Sequence, residues 1–297
     1  MSNPETTPVE VGYERKEGGL NLSRRSYLWL IVFGAILLAS AWVTEFDLLA
    51  LLAPEVRSQM TEFILGGFPP DVSREYLIGN SLRGGLLWAT VETIAISILG
   101  MVIAFILGLP LALMAASNVS HKGPLHAGQS DRTLQIVGRV LHHVSRTTLS
   151  FLRSVPGLVW GFLYVVAVGL GPFAGTLAIG THNAGVLGKL YADFIEDTDP
   201  MKIEAVRSTG GTRLQTIVHG IIPQVMATLT SYTLYRWECS MRAATILGFV
   251  GAGGIGYYLV VTITRLQYQK LVTAILAVFV LVSLTDHLST KVRQALI

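Results

Sequence analysis

The sequence predicts an all-α integral membrane protein with six transmembrane helices, and three observations support this fold class. The 297 residues are 51% hydrophobic and 14% charged, with a mean hydropathy of +0.55. That charged fraction is well below the roughly 25% of soluble domains. Six runs reach the roughly 20 apolar residues with which a helix crosses a bilayer. Lysine and arginine also collect between alternate runs, as they do in multi-pass proteins.

The six predicted spans form one transmembrane domain over residues 27–297, which follows a polar cytoplasmic segment of residues 1–26. Pro156 and Gly157 break the third span, and the fourth is the least apolar because of Thr181, His182, Asn183, Lys189 and Asp193. A polar loop, residues 196–223, separates the fourth and fifth spans. The spans cover about residues 27–52, 86–116, 148–170, 173–195, 224–250 and 268–288.

The basic residues predict the orientation of these spans. They precede the first span, fill the connection of residues 117–145, occur in the loop of residues 196–223 and end the chain. All these segments lie on one side if both termini are cytoplasmic, as the positive-inside rule favours. The opposite side carries fewer basic residues, namely Arg57, Arg74, Arg83, Arg265 and Lys270. We therefore expect the 196–223 loop to face the cytoplasm.

The 196–223 loop has the sequence signals of two short helices joined by a hinge. Asp199 can cap a helix that begins at Pro200, where the missing proline N–H costs nothing. The pair Gly210-Gly211 is expected to end that helix. Thr212 and Gln215 have the spacing of a capping box and predict the start of a second helix. A helix–hinge–helix between spans is typical of a docking surface for another protein.

Three ionisable residues fall near the middle of the fifth predicted span. Each costs about 3 kcal/mol at membrane depth, so such residues face a partner or a water-filled path. Glu238 and Arg242 lie four residues apart, in the favoured order for an ion pair. Arg236 lies about 200° around the helix from Glu238 and needs another partner, for which Glu92, Asp193 and a permeating anion are candidates. A structural ion pair and a place along the substrate pathway both remain open for these residues.

The sequence GFVGAGGIG, residues 248–256, predicts irregular backbone at the outer end of the fifth span. Exposed backbone at membrane depth occurs only inside protein or along a cavity, so Gly251, Gly253 and Gly254 are candidate pathway residues. The run lacks the features of a nucleotide-binding loop. The single cysteine, Cys239, and the scattered histidines predict no metal site. A net charge of +3 gives no reason to expect nucleic acid, and no catalytic motif predicts an enzyme.

The 196–223 loop resembles the "EAA" loop of ABC importer permeases. The residues that match this pattern in register are Glu204, Ala205, Gly210, Ile222 and Pro223. The alanine that usually follows Ala205 is Val206, and the isoleucine usual three residues before the proline is Gly220. Residues 235–256, YRWECSMRAATILGFVGAGGIG, resemble the matching segment of phosphonate-type permeases. By this resemblance the chain is identified as a type I ABC importer permease.

The resemblance implies a homodimeric inner-membrane channel that takes part in transport and is not itself an enzyme. Two ATPase subunits would bind ATP and Mg²⁺ and dock at Glu204, Ala205, Arg207, Gly210 and Gly211. An extracytoplasmic solute-binding protein would deliver a phosphonate, phosphite or phosphate ester, and Arg236 and Arg242 would favour such an anion. The alternatives are a permease for methionine or another small anion and, from a different class, a membrane sensor or enzyme without an ATPase.

Overall fold

A computed structural model describes residues 24–47, 49–81, 84–123, 125 and 131–296. Most of the predicted N-terminal segment, residues 1–26, lies outside these ranges, as does Arg83. Every regular element in the described ranges is helical. The α-helices are α1 (Arg24–Val43), α2 (Pro54–Gly66), α3 (Arg74–Ile78), α4 (Gly85–Ala115), α5 (Ser117–Ser120), α6 (Arg132–Ser154), α7 (Gly157–Val168), α8 (Pro172–Glu196), α9 (Pro200–Ser208), α10 (Arg213–Thr216), α11 (Ile222–Leu247), α12 (Ile255–Thr264) and α13 (Tyr268–Leu296).

Contacts along the chain divide it into two units, Met1–Thr61 and Glu62–Ile297. In the first unit, α1 is an apolar helix whose side chains are almost all exposed, as for a helix that faces lipid. It ends at Val43, so the prediction that this span reaches Leu52 was wrong. Thr44 and Glu45 form a turn, and the polar residues here interrupt the apolar run. A 3₁₀ turn then covers Leu49–Leu52.

The second unit is built around α4 and α8, which run in the same direction and pack closely. Glycines allow the approach: a Cβ added at Gly108 would lie 3.0 Å from the carbonyl oxygen of Ala184. A Cβ at Gly188 would lie 3.0 Å from the carbonyl oxygen of Gly108. Small residues at helix interfaces are typical of membrane bundles. In lipid no hydrophobic effect drives helices together, so close packing of their backbones has to stabilise the contact.

The neighbouring helices run against α4 and α8. Tyr191 on α8 is hydrogen-bonded to Thr233 on α11, whereas Asn183, earlier on α8, contacts Ser240, later on α11. Helix α13 returns antiparallel to α11. These directions bring the end of α4, the loop between α8 and α11 and the end of α13 to one side of the unit. That arrangement agrees with the side on which the basic residues collect.

Three described helices, α1, α4 and α13, are long and apolar enough to cross a membrane. The number rises to five if α6 with α7, bent by 89°, and residues 213–250 with α12, bent by 43°, each count as one span. The predicted break at Pro156-Gly157 is confirmed, although α6 begins at Arg132 and not at Thr148. Helix α8 does not meet this criterion of length and hydropathy, because its polar residues lower its mean hydropathy. Six spans therefore stay a prediction.

Candidate functional site

The loop between α8 and α11 has the predicted helix–hinge–helix form. Asp199 caps α9, because its Oδ1 accepts a hydrogen bond from the Met201 amide at 2.9 Å. Gly210 has φ +84°, a left-handed conformation that favours glycine, and it ends the helix turn after α9. Thr212 and Gln215 form the expected reciprocal capping box at the start of α10. A π-helical turn, Ile217–Ile221, then leads into α11.

The loop presents an exposed surface on an anchored base. Glu204, Ala205 and Gly210 are exposed, and Arg207 and Gly211 are half-buried. Ile203 is 1% exposed and packs in the core with the ends of α4 and α8. Because Ile203 anchors α9 to the core, the exposed residues are held on a surface that another protein can contact. We name these five residues (Glu204, Ala205, Arg207, Gly210 and Gly211) the docking surface.

The two departures from the EAA pattern lie against each other. A Cβ added at Gly220 would lie 3.6 Å from the Cγ2 of Val206 and 3.6 Å from the Cα of Ile203. The larger residue at position 206 therefore occupies space that a larger residue at position 220 would need. The larger residue at position 206 thus partly offsets the smaller residue at position 220, a relation that neither position shows alone.

This contact predicts compensation. We expect Gly220→Ile alone to lower the free energy of unfolding by about 1–3 kcal/mol, because it overpacks a buried site. Adding Val206→Ala should restore most of that loss, since it clears the atoms nearest to the new side chain. Thermal unfolding of the two single variants and the double variant gives the coupling energy. If the changes in unfolding free energy of the two single variants simply add in the double variant, positions 206 and 220 do not contact each other.

A cavity of about 320 Å³ lies between α7, α8 and α11. Its lining combines apolar side chains with the polar residues His182, Asn183, Arg236, Cys239 and Ser240. Among the described residues that line it there is no carboxylate. The Arg236 guanidinium therefore gives the cavity a positive charge that no lining group neutralises. A positively charged cavity of this size suits a small anion.

Arg236 is held by an amide, and neither of the two carboxylates predicted as its partners contacts it. Its Nη2 donates a hydrogen bond to the Oδ1 of Asn183, and its Nε is buried without a hydrogen-bond partner in the described part of the chain. Glu92 instead accepts a hydrogen bond from the Gly254 amide at 2.7 Å. Asp193 pairs with Arg146 at 2.9 Å. The two carboxylates proposed for Arg236 are thus engaged elsewhere.

Glu238 and Arg242 form the predicted ion pair, with 2.7 Å between Oε1 and Nη2. Each also contacts α13: Arg242 lies 3.3 Å from Asp286, and Glu238 lies 3.5 Å from Arg293. Neither residue lines the cavity of Arg236. These four side chains connect α11 to α13, and sequence analysis had identified only the contact within one helix.

The glycine-rich segment is irregular, as predicted. A 3₁₀ turn, Gly248–Val250, precedes a turn in which Gly251, Gly253 and Gly254 all have positive φ angles. The turn is fastened to α4, since Glu92 binds the Gly254 amide and the Thr93 hydroxyl accepts a hydrogen bond from the Ile255 amide at 2.9 Å. These three glycines shape the start of α12 and are not among the residues that line the cavity.

A second charged cluster joins residues that are distant in the chain, so no local sequence pattern predicts it. Arg146 on α6 contacts both Asp193 and Glu196 at the end of α8, the latter at 2.8 Å. Glu196 also accepts a hydrogen bond from the Ser117 amide at 2.6 Å. The cluster joins α6 to the ends of α4 and α8, beside the loop that carries the docking surface.

Comparisons with known proteins agree with this arrangement. A phosphite transport system permease protein of Stutzerimonas stutzeri is 36% identical over 268 residues, which are 89% of this chain and 86% of that protein. A phosphate-import permease protein of Mycolicibacterium smegmatis is 35% identical over 73% of this chain and 38% of its own length. The inward-facing MetNI methionine ABC transporter shares the fold, with a TM-score of 0.58 at 20% identity over 71% of this chain and 96% of that chain.

The family comparison covers the part of the chain that contains both candidate sites. The model of the family described as binding-protein-dependent transport system inner membrane component matches residues 135–296. The match extends from α6 to the end of α13 and includes the docking surface, the cavity and the glycine-rich turn. The chain therefore belongs to this family of multi-pass inner-membrane permeases, the transport subunits of ABC importers.

Proposed function

We propose that this permease carries a phosphorus oxyanion, such as phosphite, a phosphonate or a phosphate ester, through the cavity that contains Arg236. The observation on which the proposal depends is the Arg236 guanidinium in a cavity without a lining carboxylate. Guanidinium binds tetrahedral oxyanions well but does not by itself distinguish phosphate from carboxylate. The similarity to relatives named for phosphite and phosphate transport supports a phosphorus oxyanion over a carboxylate.

In this proposal, two copies of the chain form the channel and two ATPase subunits contact the docking surface. ATP and Mg²⁺ bind to those subunits, and a solute-binding protein delivers the anion from the outer side. Closure of the ATPases pushes on α9, and the rigid connection from Ile203 into the core passes that movement to α4 and α8. Rigid-body movement of the helices then alternates access to the cavity.

The ion-paired residues and the glycines have a different role in the same proposal. Glu238, Arg242, Asp286 and Arg293 hold α11 against α13. Gly251, Gly253 and Gly254 shape the turn that Glu92 fastens to α4. Both features keep the helices around the cavity in register while the helices move. The anion itself contacts Arg236.

The first test is the ATPase activity of the complex reconstituted with its ATPase and its solute-binding protein. We expect phosphite or methylphosphonate to stimulate ATP hydrolysis, and Glu204→Ala to lower that stimulation at least about tenfold, equivalent to about 1.4 kcal/mol. Glu75→Ala is the matched control, because Glu75 is an exposed glutamate on α3, before α4 begins. It should behave like the parent.

The possible results separate the alternatives. Stimulation by methionine and not by phosphorus oxyanions would contradict the proposed substrate but would still support an ATP-driven importer. Failure of any ATPase to copurify with the chain would contradict the coupling proposal. Stimulation that survives Glu204→Ala unchanged would remove Glu204 from the docking surface.

A further inference from the structure

His182 is the second polar group of the Arg236 cavity, and its hydrogen bonding determines what it can offer a ligand. Its Nδ1 lies 3.0 Å from the carbonyl oxygen of Val155. A carbonyl only accepts, so Nδ1 carries the hydrogen. In a neutral imidazole, the ordinary form near neutral pH, the other nitrogen, Nε2, is then a hydrogen-bond acceptor. Nε2 makes no hydrogen bond to the described residues of the chain.

The backbone around His182 explains why this tautomer is built into the fold. Pro156, next to Val155, begins the break between α6 and α7. At that break the Val155 carbonyl has left the helical hydrogen-bond ladder and needs a donor. The imidazole on α8 supplies it. The break between α6 and α7 therefore places the hydrogen of His182 on Nδ1 and leaves Nε2 as the hydrogen-bond acceptor.

Arg236 provides donors on the other side of the same cavity, and its position is also set by neighbours. Asn183 accepts from the guanidinium, while its own amide nitrogen donates to the Ser240 hydroxyl at 2.9 Å. Asn183 is only 3% exposed, and these two hydrogen bonds engage both its amide oxygen and its amide nitrogen. Asn183 is thus a positioning residue for the guanidinium. The cavity thus presents a cationic donor group at Arg236 and a neutral acceptor at Nε2 of His182.

A ligand that satisfies both groups must carry ionised oxygens and a hydrogen-bond donor, and in a phosphorus oxyanion that donor is the P–OH. We propose that the cavity selects the monoprotonated form of a phosphorus oxyanion: its ionised oxygens contact Arg236, and its P–OH donates to Nε2 of His182. Sulfate and sulfonates present tetrahedral anionic oxygens but no O–H, so they leave the His182 acceptor unpaired. Sites built to bind a substrate hydroxyl discriminate strongly against analogues without it. This inference rests on the proposed function and adds the protonation state of the substrate.

The test compares two anions of the same shape and charge. Methylphosphonate monoanion and methanesulfonate each have a methyl group on a tetrahedral centre, and only the former has an O–H. Saturation-transfer NMR on the methyl protons measures their binding to the purified permease–ATPase complex in lipid nanodiscs. The binding protein is left out, so that its own selectivity does not enter. The pH is near neutral, where part of the methylphosphonate is the monoanion.

We expect the parent to bind methylphosphonate at least about tenfold more tightly than methanesulfonate, the equivalent of one lost hydrogen bond to His182. His182→Gln should reduce this preference at least about fivefold, because a glutamine amide can turn to offer either a donor or an acceptor. His182→Phe should bring methylphosphonate binding down to the level of methanesulfonate. If His182 had only a structural role, the variants would bind both ligands more weakly and the ratio of the two affinities would stay unchanged.

His219→Gln is the matched control. His219 has the same Nδ1-to-carbonyl contact, 3.0 Å to the oxygen of Gln215, but is exposed and outside the cavity. It should keep the parent preference. Equal binding of the two anions by the parent, or an unchanged ratio in His182→Gln, would overturn the inference. If phosphite still stimulates ATP hydrolysis in that case, only the role of His182 fails. If it does not, the proposed substrate class fails as well.

Discussion

Gly256→Ala is expected to prevent the permease from accumulating as a folded protein. A Cβ added at Gly256 would lie 1.9 Å from the carbonyl oxygen of Thr245 and 2.9 Å from the Cα of Gly248. Both atoms belong to the backbone at the end of α11, so no side chain can rotate to make room. The first turn of α12 would have to leave α11. Overpacking a close-packed interior usually costs about 1–3 kcal/mol, and a backbone overlap this deep should exceed that range.

The measurement is the yield of monodisperse protein after detergent extraction, together with its thermal unfolding. Gly34→Ala is the matched control, since a Cβ at Gly34 meets nothing within 4 Å. It lies inside the exposed helix α1, where alanine is favoured over glycine by about 1 kcal/mol. We expect parent-like yield for Gly34→Ala. A parent-like yield and melting temperature for Gly256→Ala would show that α11 and α12 do not pack as described.

The features predicted well from the sequence are those that depend on neighbours within a few residues. Asp199 caps a helix through the amide two residues later, and Thr212 and Gln215 bond across three positions. Glu238 and Arg242 lie one helical turn apart. In each case the spacing alone determines whether the groups can meet. Local signals were therefore enough for the hinge, the caps and this ion pair.

The features that were missed depend on how distant segments pack. Arg236 and Asn183 are 53 positions apart, and no pattern in one sequence shows which faces of α8 and α11 meet. The polar residues of α8 had been treated as a weakness of the fourth span. In the structure, His182 and Asn183 line the cavity, and Asp193 pairs with Arg146. A polar position in an apolar helix can thus mark a site, but its partner has to come from the fold.

Arg236→Gln is expected to remove most of the stimulation of ATP hydrolysis by phosphite. The side chain is the cationic group of a cavity with no lining carboxylate, and a hydrogen bond to a charged group contributes about 1.5–3 kcal/mol. Losing it corresponds to a reduction of about tenfold or more. Glutamine keeps an amide that can still reach toward Asn183, so the variant changes the charge with little change in packing. Phosphite-dependent ATPase activity of the reconstituted complex measures the effect.

Arg242 supplies the matched control, because it lies six residues further along α11 and has a different environment. It contacts Glu238 at 2.7 Å and Asp286 at 3.3 Å, outside the cavity. We expect Arg242→Gln to lower the melting temperature while the remaining active complex keeps its response to phosphite. Glu238 would retain Arg293 at 3.5 Å, which limits the damage. An equal loss of stimulation in both variants at unchanged stability would contradict a specific role of the Arg236 cavity in binding the anion. If stimulation survived in Arg236→Gln alone, the anion would have to pass by another route.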